Sequence, residues 1–143
     1  MQQVPQPYVP IPYETDLIRQ LEKAINGEYN AIQCYEQLAK IAPEKAISDQ
    51  IKEIRQDEIK HFWQFSQLYV QLTGTRPQLK GTEKCPEKYR DGLKFAFQDE
   101  QETVDLYLDV SDKAFDPYVK RLFRRAALDE QHHAVWFLYY LTK

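Results

Sequence analysis

Methionine occurs once in this 143-residue sequence, cysteine twice and histidine three times. The two cysteines, Cys34 and Cys85, stand far apart and form no Cys-x-x-Cys pair, so they read as two reduced thiols of a cytoplasmic protein. No run of 18 apolar residues exists, and no membrane partner is expected. The start, MQQVPQPYVPIPYE, lacks the basic and apolar regions of a signal peptide. Charge of one sign is not in excess either. The 19 basic and 22 acidic residues are well mixed and leave a net charge of −3, which excludes a nucleic-acid partner that would need a basic face.

What is present is helical period over nearly the whole chain. Four of the eight prolines fall within residues 1–12, so residues 1–13 read as an extended arm, mobile or used for docking. From Glu14 an apolar stripe runs through Leu17, Leu21, Ile25, Ile32 and Leu38 and stops at Pro43. A second, from Ile47 to Leu72, stops at Gly74. Residues 74–86 have the chemistry of a loop. A third helix is expected from about Glu87 to Phe115. Asp116-Pro117 reads as a cap followed by proline at the first helical position, opening a fourth helix to Leu141. The expectation over residues 14–143 is one all-α domain, a four-helix bundle of two antiparallel hairpins. The long connection between helices 2 and 3 could span about 40 Å if extended.

The hairpins are copies. With an offset of 72 residues, Leu21 falls on Leu93, Ala24 on Ala96 and Phe65 on Phe137. Any duplicated bundle repeats its core, so the polar matches carry more weight. Glu28 falls on Glu100, Tyr35 on Tyr107, Asp57 on Asp129, Glu58 on Glu130 and His61 on His133. In a tight hairpin, residues equidistant from the turn lie side by side. Glu28 and Glu58 each stand fifteen residues from Pro43, and Glu100 and Glu130 fifteen from Phe115, so all four share one level. His61 and His133, three residues beyond their glutamates, point the same way. His132 is turned away.

Each glutamate lies on the apolar stripe of its helix, where four ionised carboxylates would be strongly unfavourable without compensation. Two divalent cations supply it. Glu28, Glu58, His61, Glu100, Glu130 and His133 are therefore the candidate ligands, and the four glutamates are also the candidate catalytic groups. Asp129, and by the repeat Asp57, can hydrogen-bond a ligating imidazole from behind. Tyr35 and Tyr107, seven residues beyond Glu28 and Glu100, return to the same face as core tyrosines with satisfied hydroxyls, as donors near the site or as carriers of an oxidising equivalent.

One Glu from each of two helices and Glu-x-x-His from each of the other two resembles the di-metal site of ferritin-like bundles, over about Glu14 to Leu141. Within that superfamily the chain is most similar to the rubrerythrin-type di-iron domain, since both Glu-x-x-His helices carry histidine. The resemblance implies two iron ions, with manganese as the alternative. It further implies an oxidoreductase that reduces peroxide or dioxygen in oxidative-stress defence or iron handling, and a homo-oligomer, with a dimer as one form. Rubrerythrins carry a further glutamate ligand where this chain has Thr103. No cysteine pairs exist for a rubredoxin-like iron centre, so the electron donor is expected to be external. The alternatives are manganese catalase-like disproportionation of peroxide and a non-enzymatic, metal-stabilised structural or coat-type protein.

Overall fold

The computed structural model describes residues 3–4, 12–81 and 84–143, with side chains in the first helix described from Asp16 onward. Most of the arm expected over residues 1–13 lies outside them. The described residues form four helices and no strand: α1 (Pro12–Ile41), α2 (Lys45–Thr73), α3 (Tyr89–Lys113) and α4 (Pro117–Leu141). α1 thus starts two residues before Glu14, with Pro12 at the first helical position, where proline loses no hydrogen bond. α3 is two residues shorter at each end than expected, because Lys88 and Ala114 take extended backbone angles.

The stops are local chemistry. Gly74 adopts φ 74°, a left-handed conformation open to glycine, and its N–H closes α2 on the carbonyl of Val70. Asp116 accepts from the backbone N–H of Tyr118 and Val119 at the start of α4. Within the hairpins, Ser48 Oγ donates to the Ala39 carbonyl at 2.7 Å, and Ser111 Oγ to the Lys120 carbonyl at 2.9 Å. These are equivalent positions of the repeat with the serine moved to the other end of the bond.

α1 packs on α2 and α3 on α4, while α1 also meets α3 and α2 meets α4. The connection after α2 decides how the second hairpin is laid down. Asn26 holds it by bonds to the Gln78 carbonyl and the Lys80 N–H, and Gly81 lies against Tyr29. Cys85 then meets Cys34, and Gly92 at the start of α3 lies against Leu38. A Cβ on Gly92 would come within 2.7 Å of the Leu38 side chain, so glycine permits this close approach. The connection therefore travels along α1 in the direction of α1, and α3 returns antiparallel to it.

That path corrects the reading of the cysteines. Cys34 and Cys85 are not separate thiols but a disulfide, with Cα atoms 5.1 Å apart. Their sequence separation of 51 hid the pairing, because only the course of the connection brings them together.

The core divides into two apolar layers. One holds Leu21, Ile25, Phe65, Tyr107 and Phe123, with the Phe65 and Phe123 rings stacked 4.6 Å apart. The other holds Leu38, Ile51, Ile54, Leu93 and Phe137. Along every helix the residues between the layers include the buried glutamates, so a polar layer crosses the middle of the bundle.

Candidate metal centre

Glu28 on α1, Glu58 and His61 on α2, Glu100 on α3, and Glu130 and His133 on α4 meet in that layer, each 2% exposed or less. They fall into two overlapping groups of four. Glu28, Glu58, His61 and Glu130 make one, and Glu58, Glu100, Glu130 and His133 the other. Each residue offers an atom, and within a group these atoms all lie within 4.8 Å of one another. Glu58 and Glu130 belong to both.

The surrounding bonds cross between the hairpins. His61 Nε2 is 2.8 Å from Asp129 Oδ2, and His133 Nε2 is 2.8 Å from Asp57 Oδ2. A carboxylate that accepts from Nε2 leaves each imidazole with its Nδ1 turned toward the cluster. Tyr35 on α1 donates to Glu100 on α3, and Tyr107 on α3 to Glu28 on α1, both at 2.5 Å. The tyrosines are at once satisfied core residues and donors to the cluster. His132 is exposed and accepts from the Trp136 indole. Thr103 turns its hydroxyl back to the Asp99 carbonyl at 2.7 Å.

A specific set of atoms is left over. Glu28 Oε2, Glu58 Oε1, His61 Nδ1, Glu100 Oε2, Glu130 Oε1 and His133 Nδ1 are all buried without a hydrogen-bond partner. They lie close to one another but are not aligned to bond: His61 Nδ1 is 2.9 Å from Glu130 Oε1, and His133 Nδ1 is 3.2 Å from Glu58 Oε1. Six inward atoms of carboxylate and imidazole, once free of protons, are the donor set of a divalent cation site.

Without cations, protons supply the charge. Burial, and next the charge of Glu58, push Glu28 up to about 8, against the pull of His61. Burial and neighbouring carboxylates raise Glu100 and lift Glu130 well above its ordinary value. Burial would raise Glu58 too, but the imidazoles of His133 and His61 outweigh it and hold Glu58 low. Burial would lower both histidines. For His61, attraction to Glu28 and the bond to Asp129 win; for His133, the bond to Asp57 and the approach of Glu100 and Glu58. Each is pushed up to about 12. Divalent cations would take the place of these protons.

No family model matches this sequence. The chain is 54% identical over 139 residues to the uncharacterized protein YhjR of Bacillus subtilis, covering 96% of this chain and 95% of that protein. A solved ferritin-like, diiron-carboxylate protein of Bacillus anthracis superposes with a TM-score of 0.79 at 24% identity, covering 91% of this chain and 98% of its own. A hypothetical protein of Pyrococcus furiosus superposes with a TM-score of 0.76 at 24% identity and 88% coverage of each chain. The sequence match and the superpositions together show that this chain belongs to the family of Bacillus subtilis YhjR and has the ferritin-like four-helix fold.

Proposed function

We propose that the polar layer holds two iron ions and that the protein is a rubrerythrin-like oxidoreductase reducing peroxide or dioxygen. Glu28 and His61 would serve one ion, Glu100 and His133 the other, with Glu58 and Glu130 shared. The observation that carries this reading is the set of six buried, inward-facing atoms without partners. Held there, two iron ions would supply the two electrons that such an oxidant takes up.

The residues around the site prepare it for that. Asp57 and Asp129 hold the imidazoles with Nδ1 inward. Tyr107 and Tyr35 each occupy one oxygen of Glu28 and Glu100, leaving the second free to ligate. The apolar layers keep bulk water from both ends. A cleft of about 940 Å³ between α1, α3 and the connection is lined in part by Gly27, Thr103 and Tyr107, the last being the donor to Glu28, and would be the side from which small oxidants approach. Thr103 leaves no further carboxylate, so discrimination between peroxide and dioxygen is expected to be small. The setting proposed is a cytoplasmic homo-oligomer in oxidative-stress defence or iron handling, served by an external reductant.

The test is anaerobic protein with its disulfide closed, loaded with Fe(II) and mixed with hydrogen peroxide. Near-ultraviolet absorption of bound ferric iron should develop faster than with free Fe(II) in the same buffer, then persist until reductant is added. A reaction no faster than that of free Fe(II) would overturn the enzymatic reading. Sustained oxygen release by manganese-loaded protein would replace it with peroxide disproportionation.

A further inference from the structure

The chain has two cysteines, and the fold joins them into one disulfide between the connection and α1. Cys34 is buried on α1, whereas Cys85 on the connection is only half-buried, so an external thiol can approach the pair from the Cys85 side. The residue after Cys34 is Tyr35, and its hydroxyl donates to Glu100 in the polar layer. One peptide unit, one side chain and one hydrogen bond thus connect the only dithiol of the chain to a candidate metal ligand. A disulfide in a cytoplasmic protein is most often transient and catalytic or redox-sensing rather than structural.

We infer that Cys34 and Cys85 are the resident two-electron reductant of the centre, a thiol–disulfide couple that restores it after each reaction with oxidant. This inference rests on the di-metal reading above. Two S–H bonds break and one S–S bond forms, releasing two electrons and two protons. The electrons pass by way of Tyr35 and Glu100 to the oxidised centre. With peroxide as oxidant, its O–O bond breaks and two protons complete two waters, so the sum is one peroxide and two thiols giving one disulfide and two waters. An external low-molecular-weight thiol or dithiol protein then reduces the disulfide by exchange at Cys85.

The experiment starts from protein reduced with a thiol, freed of it anaerobically, and either loaded with Fe(II) or left metal-free. One equivalent of peroxide is added, samples are quenched with an alkylating agent, and intact mass counts the remaining thiols while near-ultraviolet absorption follows the iron. In loaded protein both thiols should disappear at least about tenfold faster than in metal-free protein, and the absorption should rise and then decay. Cys85→Ser should keep its iron content and show the same rise without the decay. Tyr35→Phe, which keeps the ring, should slow thiol loss toward the metal-free rate when compared with the unaltered protein at equal bound iron. Thiol loss at the metal-free rate, with the absorption rising and persisting, would overturn the dithiol role and leave the proposed function standing. No rise at all would overturn both.

Discussion

His133 and His132 are neighbours in sequence and opposites in place, one buried among carboxylates and the other exposed against Trp136. His133→Ala should lower metal content by about one ion per chain, and His132→Ala should leave it at the wild-type value; elemental analysis of loaded protein checks both. Equal behaviour of the two variants would mean that the inward face of α4 is not the binding face. The aspartates behind the imidazoles give a subtler expectation. Asp57→Asn and Asp129→Asn should each weaken metal affinity about 10–100-fold without removing a ligand, because the imidazole loses its carboxylate acceptor. Competition with a chelator measures this, and unchanged affinity would detach the aspartates from the site. At this scale the sequence was informative, since a repeated Glu-x-x-His on apolar stripes leaves few alternatives. What it withheld was the crossing of the bonds: each aspartate serves the histidine of the other hairpin, a contact fixed only when α2 meets α4.

The elements end where backbone chemistry requires it, so their limits were mostly readable. Proline at the first position of α4 and a left-handed glycine after α2 are signals a short window can hold. Asp116→Ala removes the side chain that accepts from two free N–H groups, and should cost about 1 kcal/mol in urea unfolding. No change in midpoint would show that water replaces the cap without loss. The ends of α3 were misjudged by two residues because nothing in the local sequence marks where Lys88 and Ala114 become extended. The connection was readable as a loop but not as a path. Its course depends on Asn26, Tyr29, Cys34 and Leu38, which lie roughly 50 residues away in sequence, and the disulfide was missed for the same reason.

For the molecule as a whole, the repeat made the bundle and its polar layer legible, because it doubles each clue and places both copies at one depth. The polar layer also sets how stability depends on pH. Glu28, Glu100 and Glu130 bind protons more tightly in the folded chain than in the unfolded one, as do His61 and His133. Their contribution to the metal-free protein is complete below the unfolded values and is lost as pH rises. For Glu28 the loss runs from 4.5 to about 8, and for the histidines from 6.5 to about 12. Glu58 and Asp129 act in the opposite sense, and their contribution is lost on acidification below the ordinary carboxylate range. The Tm of metal-free protein should therefore fall as pH is raised from 4.5 to 8. That of loaded protein should rise over the same range, since ligands must shed protons to bind. Parallel pH profiles with and without metal would show that the layer does not exchange protons for cations.

The most direct measurement is a crystal structure of metal-loaded protein with anomalous scattering at the metal edge. Two peaks per chain are expected within the bundle, one among Glu28, Glu58, His61 and Glu130 and one among Glu58, Glu100, Glu130 and His133. Both histidines should ligate through Nδ1, with their Nε2 atoms still on Asp129 and Asp57. Anomalous density confined to the surface, with the six side chains bonded only to one another, would contradict the metal centre.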